Sequence, residues 1–352
     1  MSPRSSPSSR RENILSLSRY DQYLQALDEE LRELFSSRDG FLYDVLRYHL
    51  GWTDQQGTPE DSAAPLHFPS RLALASCEAL SGDFRPALPA AAGVELVHNF
   101  ILVHEDAQSG RPKAQARPGI CSIWGQAQTI NAGDGLHALG RTAVMRLDRS
   151  GVPPDRVLRA VEFLDQACLT LCEGQFMDLS FQEQLVVTRP AFHEMISRKA
   201  GALTGCSAEL GALAAGADDT RCARFREMGT MLGIARQVSR DVADLWRGGW
   251  DGPNSNGVSN KKKSLPLVHV METAGVAAKR ELGAIYEKQV LLPEDVSRLI
   301  GILDQAGSRH FAEGKAKDLV DQALEAIAGA GVPEPGMEGL RQLGQWALQG
   351  SG

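Results

Sequence analysis

Carboxylates recur in pairs at helical spacing along this chain. Paired carboxylates with cationic side chains nearby can hold a divalent cation and a phosphate group. The first set lies in Glu95-Leu-Val-His-Asn-Phe-Ile-Leu-Val-His-Glu-Asp106. Glu95, Asn99 (or His98) and the Glu105/Asp106 pair recur three and four residues apart on one polar stripe, while Val94, Val97, Ile101 and Leu102 point into packing. The second set is Gln237, Asp241 and Asp244, at i, i+4 and i+7 on a helix backed by Met231, Leu232, Ile234 and Ala235. The third is Gln175 with Asp178, followed by Lys199 in Ile196-Ser-Arg-Lys-Ala-Gly201. Lys262 belongs to the run Lys261-Lys-Lys263, after a loop at Gly248–Asn260 rich in Gly and Asn. Two carboxylate helices facing each other across a bundle can hold a metal cluster, with lysines completing a diphosphate cradle. Taken singly, each set is more often a solvated helix face or a local salt bridge. It is their joint order that points to chemistry.

The elements that must position these residues are helices. Nearly every long segment shows a 3.6-residue apolar period, and β-branched alternation is rare. Residues 20–50 give one or two amphipathic helices, 55–69 a loop, and 71–80 a short helix broken at Gly82-Asp-Phe-Arg-Pro86. Ala87–Asp106 is the next helix, and an irregular segment at Ala107–Gly119 follows. Further helices are expected at about 120–130, 133–147, 154–185, 189–216, 218–247, 263–287, 293–307, 309–329 and 336–349. Short connections between many long helices predict an all-α fold, one large bundle with its site between helices. Residues 1–15 read as a disordered tail, and 16–352 as a single helical domain.

Bulk properties narrow the function. Of 352 residues, 43% are hydrophobic and 23% charged, which is ordinary globular composition. A net charge of -7 gives no support to nucleic-acid binding, which wants a basic excess. No apolar run approaches the ~18 residues of a membrane span. Met1–Arg11 carries positive charge with no apolar core after it, so it does not read as a signal peptide. Six cysteines are scattered through helical segments, and no His or Cys pair completes a zinc set around Cys168 and Cys172. Reduced core thiols in a cytoplasmic protein are the expectation.

A series of motifs then carries a resemblance. In order they are Cys77-Glu-Ala-Leu80, Ala87-Leu-Pro-Ala-Ala-Ala92, Glu95-Leu-Val-His-Asn99, Val103-His-Glu-Asp106, Trp124-Gly-Gln-Ala-Gln128 and Asn131-Ala-Gly-Asp134. Gly174-Gln-Phe-Met-Asp-Leu179, Lys199-Ala200 and Lys262-Lys-Ser-Leu-Pro266 complete it. From about residue 65 to 300 the chain resembles the trans-isoprenyl diphosphate (polyprenyl) synthases. The resemblance implies the isoprenoid-synthase helical bundle with a central apolar cavity. It implies two Asp-rich motifs holding Mg²⁺ against an allylic diphosphate, and a homodimer. In that family the diphosphate leaves, a carbocation forms and isopentenyl diphosphate attacks it. Metals and cations placed where charge develops stabilise the leaving group.

The departures shape the expected reaction. The family's first D-D-x-x-D is here Glu105-Asp-Ala-Gln-Ser109, and the second is Arg240-Asp-Val-Ala-Asp244. Its Arg-Arg-Gly is Ala114-Gln-Ala116, and its upstream Gly-Lys-x-x-Arg falls on Pro65-Leu-His67 and Ser70, with Arg71 one position off. By resemblance, Glu105, Asp106, Asp241 and Asp244 are metal ligands, with Asp106, Asp241, Asp244 and Lys199 central to catalysis. Gln175, Gln237, Arg240, Lys262 and Phe100 contact substrate, Arg240 either adding positive charge to the phosphate or lying paired with Asp241 or Asp244. Phe100, five residues before Glu105, limits the substrate to farnesyl or geranylgeranyl size, or is plain core packing. Loss of the second diphosphate's cationic donors points to an enzyme that ionises one preformed prenyl diphosphate, as a class I terpene synthase does. The alternatives are a chain-elongating prenyltransferase with an altered metal site, and a non-catalytic subunit that modulates an active synthase in a heteromer.

Overall fold

The computed structural model describes residues 18–64, 66–109, 117–184, 186–246, 262–288 and 291–350, the side chain of Ser109 excepted. The expected N-terminal tail, Ala114-Gln-Ala116, Trp250 and Lys261 lie outside the described residues. Among the described residues there are fourteen α-helices and no strand, only an isolated bridge between Thr53 and Pro59.

The centre of the bundle is where the sequence is apolar on every side. Helix α8 (Ala202–Ala214) buries all but its two terminal residues, as a helix without a polar face must. Around it pack α3 (Phe68–Ser81), α4 (Leu88–Ser109), α6 (Pro154–Gln182) and α9 (Asp219–Trp246). Helices α1 (Arg19–Phe35) and α2 (Phe41–His49) lie against α4 and α5 (Ile120–Met145) respectively. Helix α7 (Arg189–Ile196) runs through a π turn, Ser197–Gly201, into α8. A second, smaller apolar cluster joins α10 (Leu265–Thr273), α11 (Val276–Glu287) and α12 (Pro293–Gln305) through Leu267, Val270, Ile285 and Leu299. Helices α13 (Ser308–Ala326) and α14 (Glu334–Ala347) return to the main core.

The pattern differs from expectation at three places. Residues 120–145 hold two helical stretches, but the break between them falls at Gly125 (φ 80°, ψ 167°) instead of near residue 131, so Asn131 and Asp134 are mid-helix. The 263–287 segment is two helices, broken at Ala274-Gly275, where the chain turns extended. The segment Arg85–Gln108 is long and apolar enough to cross a membrane, contrary to the sequence reading, although 67% of its most apolar window is buried inside the bundle. Glu95 sits fully buried within that segment and is satisfied by neighbouring side chains, as a core helix requires.

Close approach of α6 to the π turn positions the site. Gly174 faces the backbone of Arg198 and Lys199; a Cβ there would stand 2.8 Å from Lys199 Cα. Backbone cannot yield as a flexible side chain can. Gly174→Ala should therefore destabilise the chain by about 1–3 kcal/mol, despite a helix-propensity gain of about 1 kcal/mol. A thermal midpoint equal to or above the parent's would show that the contact is slack.

Candidate active site

Helix α4 carries the first polar stripe, and its orientation is fixed by Glu95. That carboxylate accepts hydrogen bonds from the His67 backbone N–H, from His67 Nδ1 at 2.5 Å, from the Ser70 hydroxyl and from Asn99 Nδ2 at 2.9 Å. Asn99 Oδ1 in turn meets His49 Nε2 at 2.9 Å, and the His67 ring lies on His98 with centroids 4.4 Å apart. Burial opposes charge on Glu95, but His67 and the donated hydrogen bonds outweigh it and hold the carboxyl below its usual range. Burial pushes His98 down to about 3, helped by His67, Arg240 and Arg236 against Glu95. It pushes His49 down to about 4, although Asn99, Asp106 and Glu95 oppose it. This network occupies the place where the resemblance puts the upstream cationic motif.

Eleven residues, about three turns, beyond Glu95 the same helix face presents Asp106. Its Oδ2 accepts the Cys121 N–H at 3.1 Å, at the start of α5. Asn99, Leu102, Asp106, His67 and Arg117 line a cavity of about 300 Å³ between α2, α4 and the start of α5. Its walls are mixed in polarity. His104 turns away from the acidic pair, toward the Ile130 carbonyl at 3.2 Å and Asp134 at 3.6 Å. Phe100 packs edge-on to His104 and against His137, the core-packing option.

The second and third sets meet at Lys199. Its ammonium donates to Asp178 at 2.6 Å and stands 3.8 Å from Glu105. Burial works against this charge, yet Asp178, Glu105 and Asp241 outweigh it and raise the pKa. Across the cleft, Gln237 donates to Asp241 Oδ1 at 2.8 Å. Burial pushes Asp241 up to about 6, Gln237, Lys262 and Lys199 oppose that shift, and Asp244 adds to it. Asp244 is exposed one turn on. Gln175 reaches Gln108 on α4 at 3.1 Å. Lys262 faces Asp241, whereas Lys263 is buried with its ammonium 4.7 Å from the Tyr286 ring centroid. Trp124 is edge-on to Tyr48, and Trp246 donates to Asp304 at 2.8 Å, so packing accounts for both. The structure thus brings Glu105, Gln175, Asp178, Lys199, Gln237, Asp241 and Lys262 to one cleft.

Among the described residues no three Asp, Glu, His or Cys side chains converge as a metal set. Glu105 is drawn to Lys199, Asp106 holds a backbone N–H and Asp241 holds Gln237, so with Asp244 they do not form a joint Mg²⁺ cradle as placed. Arg240, for its part, is exposed and makes no salt bridge with Asp241 or Asp244 among the described residues; it faces Arg236 and His98. The sequence reading passed over Arg236, His49 and the Glu95–His67 pair. An available signal was the i, i+4 spacing of Arg236 and Arg240.

The polyprenyl synthetase family model matches residues 68–303 of this chain. The chain belongs to the polyprenyl synthetase family. It is 35% identical over 319 residues to a geranylgeranyl diphosphate synthase of Mycobacterium tuberculosis, covering 90% of this chain and 87% of that one. It is 29% identical over 323 residues to a (2E,6E)-farnesyl diphosphate synthase of Mycobacterium bovis, covering 90% and 89%. Among solved structures, it matches a geranylgeranyl pyrophosphate synthetase from Pyrococcus horikoshii with a TM-score of 0.81 at 30% identity, covering 97% and 99%. A polyprenyl synthetase from Streptomyces coelicolor matches with a TM-score of 0.82 at 27% identity, covering 93% and 98%. The fold is therefore the all-α isoprenoid-synthase bundle, and this family member is an enzyme of isoprenoid biosynthesis.

The network around Glu95 makes a pH prediction for this synthetase-family chain. His49 and His98 are neutral when folded and regain ordinary affinity for protons, near pKa 6.5, when unfolded. The unfolded state then binds more protons, so stability falls as pH drops from about 6.5 toward 4. His98→Gln should remove on the order of 1–2 kcal/mol of that loss. Denaturant midpoints at pH 7 and pH 5 check this; an unchanged pH dependence in the variant would count against a neutral buried ring.

Proposed function

We propose that this chain elongates an allylic prenyl diphosphate of farnesyl or geranylgeranyl size class by a five-carbon unit from isopentenyl diphosphate. The observation that carries this reading is the meeting of three helices on Lys199. Asp178 of α6 and Glu105 of α4 flank its ammonium, and Asp241 of α9 faces it. A cation held this way is available to the negative charge that develops on a departing diphosphate. Gln175, Gln237 and Lys262 border the same cleft and would orient that group. The relatives named above are chain-elongating diphosphate synthases, which favours elongation over ionisation of a single substrate.

One observation favours the single-substrate reading as runner-up. Where the resemblance places the second diphosphate's lysine and arginine, the fold has His67 and Ser70 engaged with Glu95. We further propose that the chain works in the cytoplasm as a homodimer, pairing through α6, where Leu158 (72% exposed), Leu169 (57%) and Phe176 (75%) share a face. Mg²⁺ belongs to the proposal as the family's expected ion, with Asp106, Asp241 and Asp244 the residues that would have to rearrange toward it.

Diphosphate release by the purified full chain tests the reading. Elongation requires release to depend on both isopentenyl diphosphate and an allylic partner. Lys199→Gln should lower kcat about 10²-fold or more, with a smaller effect on KM. Release from an allylic diphosphate alone would favour the terpene-synthase type. No release from any pair of substrates, together with co-purification of an active synthase, would turn the assignment to the modulatory subunit.

A further inference from the structure

His67 keeps one ring nitrogen unused. Its partner Glu95 has no exposed side-chain surface, and four donors converge on the two carboxylate oxygens. An ionised carboxylate accepts only, so the His67 ring proton belongs to Nδ1, in the bond at 2.5 Å. In the neutral ring Nε2 then carries the lone pair. That nitrogen makes no hydrogen bond to any described residue, and 28% of the His67 side chain is exposed.

His67 lines the cavity of about 300 Å³, which follows α4 from His67 and Asn99 to Asp106, next to the Glu105 that meets Lys199. Other polar groups on its walls are engaged. His49 Nε2 meets Asn99 Oδ1, and the Tyr48 hydroxyl donates to the Pro118 carbonyl at 2.8 Å. Asp106 accepts the Cys121 N–H, and Arg117 donates to Glu60 and to the Thr53 carbonyl, each at 2.6 Å. The groups facing His67 are Glu95 and His98 on α4 and His49 on α2, with both histidines neutral when folded. Arg236 and Arg240 of α9 stand beyond His98. A proton taken up at Nε2 turns the hydrogen bond to Glu95 into an ion pair, so the buried carboxylate stabilises the charge His67 acquires.

Elongation and single-substrate ionisation both reach a carbocation that must lose a proton to become an alkene. We infer that His67 is the general base of this step, with Glu95 as its positioning residue. The C–H bond beside the cationic carbon breaks, its electron pair closes the carbon–carbon double bond, and the proton goes to Nε2. This rests on the prenyl-diphosphate reading above and holds for either form of it. The departing diphosphate is the rival acceptor.

His67→Gln, made in the full chain, keeps a donor for Glu95 but has no lone-pair nitrogen. Its kcat should fall about 10²-fold or more, with smaller changes in KM. Deuterium at C2 of isopentenyl diphosphate, the carbon that loses the proton in elongation, should slow this variant more than it slows the parent, because proton loss has become limiting. If the allylic substrate alone is turned over, that substrate carries the deuterium instead. Ser70→Ala removes a donor from Glu95 while leaving Nε2 in place, and should keep the parent's isotope effect even where stability drops. A parent-like kcat in His67→Gln gives the proton to the diphosphate and overturns the base. A lower kcat with the parent's isotope effect marks a structural role and overturns it equally. Should the variant not fold, the parent decides. A kcat that stays level from about pH 8 to about pH 5, where histidines take on charge, overturns the base, and a fall on the acid side supports it. No turnover of any substrate by the parent overturns the base together with the reading it rests on, whereas the other outcomes leave that reading standing.

Discussion

A carboxylate fully buried in the middle of a 22-residue apolar helix constrains the rest of this structure. Glu95 needs donors on all sides, since an unpaired buried carboxylate would neutralise or drive the helix apart. His67, Ser70 and Asn99 supply them, tying the start of α3 to α4. Once the rotation of α4 is set there, helical periodicity decides what the far end presents. Asp106 falls on the Glu95 face beside the cavity, and Glu105 falls to the side where Lys199 waits. A single satisfied charge thereby fixes where the chemistry can be.

Lys199 is the complementary constraint at the other end of the cleft. The π turn that carries it abuts Gly174, and one turn further along α6 Asp178 takes its proton-bearing nitrogen. Protein cations thus lie among the carboxylates of this cleft, Lys199 paired with Asp178 and Lys262 facing Asp241. Cationic charge has moved as well. In the upstream stretch His67 serves Glu95, and Arg71 and Arg236 lie against Trp346. The chain keeps the family's fold while redistributing the charges that fold holds.

Helix content, the all-α class and the family were legible because they depend on local periodicity and ordered motifs. Lys199, Asp178, Asp241 and Gln237 were legible for the same reason, and the structure gathers them. The break at Gly125 was not, because a glycine in a long apolar run gives no local sign of where the chain leaves helical geometry. Nor was the break at Ala274-Gly275 between two helices of good propensity. The environment of Arg236 was hidden for a different reason. Its partners Phe68 and Trp346 lie more than a hundred residues away in either direction, and only tertiary packing joins them. His67 was read as a lost cationic donor; its role as the partner of Glu95 depends on the contact of α3 with α4.

Chain elongation makes a product that still carries its diphosphate, and ionisation of a single substrate does not. Mass spectrometry of the products formed by the purified chain from isopentenyl diphosphate and an allylic diphosphate therefore reaches the central claim most directly. Elongation predicts a prenyl diphosphate longer than the allylic substrate by one or more five-carbon units. A hydrocarbon or alcohol of unchanged carbon number, formed equally well without isopentenyl diphosphate, would contradict it.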